Sequence, residues 1–175
     1  MTQMRTIESV PFATDLAAAL ATPGTDAMRV AEDFFGLADL FKENTRLARA
    51  LTDPARSVED KRGLVSSAFG AHVTPATRSV VNLVVADHWR RPTDVDDALE
   101  VLGILSVLNA AGAKGALDQV REELFQVRYF LDHNREVRVR LSDISTGDSH
   151  ERGDLATSLF GSRVSVWTMR LVRRA

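Results

Sequence analysis

The feature that most constrains this chain is an internal correspondence at a spacing of ninety residues. Residues 47–70 read LARALTDPARSVEDKRGLVSSAFG, and residues 137–161 read VRVRLSDISTGDSHERGDLATSLFG. At a shift of ninety, Asn44 meets Asn134, Leu51 meets Leu141 and Asp53 meets Asp143. One inserted residue later, Leu64 meets Leu155, Ser67 meets Ser158, Phe69-Gly70 meets Phe160-Gly161, Val73 meets Val164 and Thr77 meets Thr168. Upstream, Val30, Phe34, Leu37 and Phe41 recur as Val120, Leu124, Val127 and Leu131, both sets carrying the i, i+4, i+7, i+11 spacing of one helical face. The pattern reads as one helical module used twice.

Six helical segments are expected before the second copy begins. Phe12, Leu16 and Leu20 mark a short first helix that Pro23-Gly24 ends, and Thr25 or Asp26 caps the second. Residues 46–51 add about one more turn, and Thr52-Asp53-Pro54 turns the chain, because a residue before proline avoids the α region. Ser57 and Asp60 form a capping box for a helix that Gly70 is expected to stop in a left-handed conformation. In the second copy Asp148 and Glu151 stand where Ser57 and Asp60 do. Thr74-Pro75 opens a helix through Trp89 that is apolar on nearly every side, which predicts the central buried element. Thr93 begins the sixth, which leads into the small-residue tract 110–116. No segment supports a strand.

This makes the fold class all-α, with a first copy over residues 1–111 and an incomplete second copy over 112–175. Residues 165–172 match only the start of 74–89, and nothing matches 93–109. Trp167, Met169, Leu171 and Val172 are therefore expected to lack intramolecular partners, so self-association through residues 164–175 is expected.

Composition narrows the function. With 45% hydrophobic and 26% charged residues the chain is globular, and a formal net charge of −2 gives no overall attraction to nucleic acid or an anionic membrane. The absence of cysteine excludes disulfides and thiolate chemistry. His72, His88, His133 and His150 are scattered, without metal-ligand spacing. Glu122-Glu123 and Asp94, Asp96 and Asp97 lie near helix starts, where the macrodipole accounts for acidic residues. Gly112 and Gly115 fit close approach or bending of helix backbones, and Trp89-Arg90-Arg91 fits a helix end as well as a nucleic-acid site, for which one triplet without a basic face is poor evidence. No phosphate loop, nucleophile elbow or HExxH is present. The expectation is a non-catalytic protein without cofactor or metal.

The ordered set Leu51-x-Asp53-Pro54, Lys61, Leu64-Val65, Phe69-Gly70, Thr74 or Thr77, the apolar residues 80–85 and Arg90 or Arg91 resembles the N-terminal helical domain of the delta subunit of F-type ATP synthase. That subunit is the bacterial counterpart of the oligomycin-sensitivity-conferring protein. The duplicated form, whose second copy opens Leu117-Asp118-x-Val120-x-Glu122-Glu123-Leu124-Phe125, is similar to the longer delta subunits of actinobacteria. The resemblance covers residues 25–172. It implies a six-helix bundle and a peripheral-stalk role, joining the catalytic head to the membrane-anchored b subunit from the cytoplasmic side of the membrane without entering it.

The resemblance also implies a groove between the first and fifth helices that receives the N-terminal helix of an alpha subunit. The residues expected to line it are Phe12, Leu16, Leu20, Val81, Val84 and Val85. The family's C-terminal domain, expected to bind the b subunit, has no counterpart in these residues. A freestanding all-helical adaptor or transcriptional regulator is the alternative.

Because Phe69 and Phe160 both precede a helix-ending glycine, both are expected to be core anchors. Replacing Phe69 with Ala should cost about 3–5 kcal/mol, read as a clear fall in the thermal unfolding midpoint; an unchanged midpoint would refute the alignment.

Overall fold

In the computed structural model, which describes residues 10–91, 93–142 and 149–174, the described residues form helices joined by short turns. Their contacts divide the chain into two units, 1–106 and 107–175. The first holds α1 (Ala13–Leu20), α2 (Ala27–Glu43), α3 (Thr45–Thr52), α4 (Val58–Phe69), α5 (Pro75–Ala86) and most of α6 (Thr93–Ala113). The second holds the end of α6, then α7 (Leu117–His133), α8 (Arg135–Ser142), α9 (Ser149–Phe160) and α10 (Val166–Val172). Among the described residues, no helix is long and apolar enough to cross a membrane.

Local chemistry sets most helix starts. Asp26 caps α2 by accepting from the Met28 and Arg29 backbone N–H groups at 2.9 and 3.3 Å. Asn44, Ser57 and Thr74 cap α3, α4 and α5 in the same way, accepting from Leu47, Asp60 and Thr77. Each cap satisfies a backbone donor that the helix itself leaves open. Asp148, the expected cap in the second copy, and Asp143 lie outside the described residues.

The first unit closes around α5. Val80, Val81, Val84 and Val85 are at most 1% exposed, and they share a core with Val30, Phe34, Leu37 and Phe41 of α2, Leu51, Val65 and Phe69. α5 packs on α1, α2, α3 and α4, which is why its sequence is apolar on so many sides. It stops at Ala86 rather than Trp89. The Trp89 indole N–H turns back to donate to the Val84 carbonyl at 2.7 Å, satisfying an acceptor at the helix end.

A carboxylate on α2 fixes the start of α5. Asp33 is 7% exposed, and its Oδ2 accepts from the Thr74 backbone N–H at 2.7 Å and from the Thr77 hydroxyl at 2.9 Å. Arg29 lies 3.5 Å from the other oxygen. Ninety residues on, Glu123 of α7 accepts from the Ser165 N–H at 2.9 Å and its hydroxyl at 2.7 Å, at the start of α10. Ser165 caps Thr168 as Thr74 caps Thr77. The helix lengths also run in parallel: 17, 8 and 12 residues for α2 to α4, and 17, 8 and 12 for α7 to α9.

Two expectations are corrected. Gly70 ends α4 in the right-handed region, with φ −60° and ψ −24°, so left-handed freedom is not what it supplies. A Cβ at Gly70 would stand 2.7 Å from the Ser66 carbonyl oxygen, and one at Gly161 would stand 2.6 Å from that of Thr157, so each glycine answers a steric demand. The second correction concerns α10. Trp167 and Leu171, like Leu124, pack against Ala111, Ala116 and Val120, and Met169 and Val172 are half-buried. The Glu123 tether lays the short helix on α7, which gives Trp167 and Leu171 the partners that sequence pattern alone denied them.

Phe69 and Phe160 are 4% and 3% exposed, against Phe41 and Phe130 at ring separations of 6.2 and 5.5 Å.

Burial alone would raise the Glu123 carboxyl, but hydrogen bonds from Thr168, Ser165 and Gln119 outweigh it and hold the group at about 2, against an ordinary 4.5. Its stabilising contribution is complete above the unfolded value and lost as pH falls toward the folded one. Thermal unfolding at pH 6 and pH 3 should show a smaller acid-induced loss for Glu123→Gln than for the parent; equal losses would show that the tether does not titrate this way.

Candidate partner-binding groove

The geometry around α1 begins with an unusual residue. Phe12 precedes the helix at φ 62°, a left-handed conformation that bulky residues rarely adopt. Its ring lies 6.2 Å from that of Trp89, which is itself hydrogen-bonded to the end of α5. The start of α1 is thereby held to the end of α5, and Leu16 completes the seam at 2% exposure.

Of the six residues expected to line a groove, four belong to the core. Leu16, Val81, Val84 and Val85 are buried, while Phe12 and Leu20 are half-buried and pack against that core. They share one core, in which α1 packs on α5. The reason is simple: α1 is short and has one strongly apolar stripe, so α5 is the surface that stripe covers.

The open concavity lies beside this seam. The last turn of α1, the following loop and the first turns of α5 enclose ≈ 460 Å³, lined by Ala19, Thr22–Asp26, Thr74, Pro75, Ala76 and Ser79. Gly24 turns the loop at φ 82°, a conformation glycine adopts without a Cβ penalty. The Thr25 N–H donates to the Thr22 carbonyl at 3.1 Å, and the Thr25 hydroxyl reaches the Ala19 carbonyl at 3.5 Å.

Polar groups at the rim are largely engaged, Asp26 in capping α2 and Thr74 in capping α5. What the concavity offers is therefore small side chains. Ala76, Ser79 and Leu83 follow at i, i+3, i+7 along α5, with Leu83 37% exposed. Small residues beside one larger apolar group let a helix approach closely and seat an apolar side chain. The signal was present in the sequence, as Ala17-Ala18-Ala19 and the Ala76, Ser79, Leu83 spacing, but large apolar residues drew the expectation toward the core.

Among the described residues, which leave out the His150 side chain, the other singled-out groups form no site. His72, His88 and His133 are exposed, and His133 stacks on Tyr129 at 4.0 Å. Asp94 is paired with Arg91 at 2.8 Å. Among the described residues, no three His, Asp or Glu side chains cluster as metal ligands would.

Comparisons with known proteins point one way. The family model described as ATP synthase delta (OSCP) subunit matches residues 14–96, a span that contains both walls of the concavity. Proteins named ATP synthase subunit delta are similar over most of the chain. The one from Frankia casuarinae is 36% identical over 150 residues, covering 86% of this chain and 54% of its own length. The one from Streptomyces avermitilis is 34% identical over 149 residues, 85% and 54% respectively. That of Parafrankia sp. is 32% identical over 163 residues, 93% and 58%. The chain thus spans a little over half the length of these relatives.

Charge at the seam and at the groove should act differently. Val84→Asp should cost on the order of 3–5 kcal/mol, as an uncompensated buried charge does, whereas Leu83→Asp should change stability by about 0.5 kcal/mol or less. Urea unfolding of the two variants checks this, and equal losses would mean that Leu83 is part of the core.

Proposed function

Since this chain belongs to the ATP synthase delta (OSCP) subunit family, we propose that it is a non-catalytic peripheral-stalk component of an F-type ATP synthase. In this reading it sits on the cytoplasmic side of the membrane and holds the catalytic head against the torque of rotation. It has no cofactor. Its first unit takes the N-terminal helix of an alpha subunit in the α1–α5 groove. The b subunit is engaged through the C-terminal domain known in the family, and the second unit is a second copy of the first unit's helical module.

The observation that carries the reading is the open, small-residue concavity between α1 and α5, inside the segment that the family model matches. A groove of this make suits an amphipathic helix, whose apolar anchors supply the bulk that Ala19, Ala76 and Ser79 leave out. The role asks for rigid attachment and no chemistry. A firm core under the groove is what a stator element needs, because a soft one would yield under load.

The test is binding of a synthetic peptide of the alpha subunit N-terminus from the same source, followed by calorimetry. The parent should bind, and Ser79→Glu should weaken binding by about tenfold or more, equivalent to about 1.4 kcal/mol, with the melting curve unchanged. Absence of binding by a folded parent would instead favour the adaptor reading.

A further inference from the structure

On α7 the residues at the register of Ala31, Phe35 and Ala38 are Arg121, Phe125 and Arg128. In the first unit that face is closed. Ala31 and Ala38 are 0% exposed and Phe35 1%, with Gly103 of α6 so close that a Cβ there would stand 2.5 Å from the Phe35 ring. In the second unit the corresponding face is open, with Phe125 64% and Tyr129 58% exposed. Where the first unit has two methyl groups, the second has two guanidinium groups. An apolar helix of the α6 kind would bury both guanidinium groups with only the solvent-exposed Asp118 and Asp132 beside them, at a high cost. Aromatic side chains together with arginine are what interface centres are enriched in.

The chemistry of the occupant follows from where the charges lie. At about 100° per residue, Arg121 and Arg128 fall on one edge of the stripe centred on Phe125, and Glu122 and Tyr129 fall on the other. A parallel two-fold copy would offer the two arginines a single edge carboxylate, Glu122, and an antiparallel one sets like edge against like edge. Arg121 of each copy would then meet Arg128 of the other, which is repulsive. Arg121 pairs with Asp118 at 3.2 Å and Arg128 with Asp132 at 3.7 Å, but all four groups are at least half exposed. Such pairs contribute little and exchange readily for better ones.

We propose that the Arg121, Phe125, Arg128 and Tyr129 face of α7 docks an amphipathic helix from another polypeptide, with an apolar stripe for the two rings and carboxylates along the edge that meets the two arginines. This surface is separate from the α1–α5 groove and does not depend on what that groove binds.

The experiment uses the full chain and two synthetic helical peptides with one shared leucine stripe, one bordered by glutamates and the other by lysines, in fluorescence anisotropy titrations. The glutamate-bordered peptide should bind at least about tenfold more tightly, and added salt should weaken it. Arg121→Glu with Arg128→Glu should reverse the preference, and Arg121→Lys with Arg128→Lys should retain it. Phe125→Ser should abolish binding, whereas Ser79→Glu in the other groove should leave it unchanged. Because the substituted side chains are exposed, circular dichroism and melting curves should match the parent throughout. Equal binding of the two peptides, binding of neither, or indifference to Phe125→Ser would overturn the proposal. So would a chain that sediments as a dimer and becomes monomeric with Phe125→Ser, since that result assigns the face to a second copy.

Discussion

A buried carboxylate that reaches from one helix to the first turn of another is the interaction on which the first unit depends. Asp33 projects from α2 and accepts two hydrogen bonds at the start of α5, from the Thr74 N–H and the Thr77 hydroxyl. Bonds to an ionised group of this kind contribute roughly 1.5–3 kcal/mol each, and they act here where alternatives are few, because Thr77 is fully buried. The direction of α5 is thereby set at its start. Four valines then carry that direction through the core, and every neighbouring helix of the unit is positioned against them.

From this follows the position of the groove. α1 is only eight residues long and contributes one fully covered side chain, so its place is determined by α5 and by the Phe12 and Trp89 rings at the far end. Near its C-terminal end the two helices are separated by alanines, a threonine-rich loop and Ser79, and these are too small to close the space. The concavity is what remains when a short helix with a narrow apolar stripe is laid on a long apolar one. A partner helix can fill it without disturbing the valines beneath.

The second unit applies the same chemistry to a shorter helix. Glu123 stands where Asp33 does and Ser165 where Thr74 does, so a two-turn helix too short to hold itself is held from its N-terminus. The tether also explains why Trp167, Thr168 and Leu171 of α10 are covered, while Leu117, Phe125 and Tyr129 of α7, Val139 of α8 and Val166 at the start of α10 stay exposed. The outward face of α7 has exchanged Ala31 and Ala38 of the first unit for Arg121 and Arg128. That exchange makes it a polar-edged surface instead of an unfilled core.

The amino-acid sequence by itself determined the helical class, the starts of α2, α4 and α5 and the buried stripe of α2, because caps, prolines and apolar spacing act within a few residues of one another. It also carried the ninety-residue correspondence, and with it the anchors Phe69 and Phe160. Only the tertiary structure decided which apolar residues would be left for a partner. Val81, Val84 and Val85 have the same chemistry as a binding face, and periodicity cannot say whether α1 or another protein covers them. Likewise no local pattern couples Asp33 to Thr74 or Glu123 to Ser165, which lie 41 and 42 residues apart in the chain. Such contacts exist only once the helices have packed, and they decide which surfaces close and which stay open.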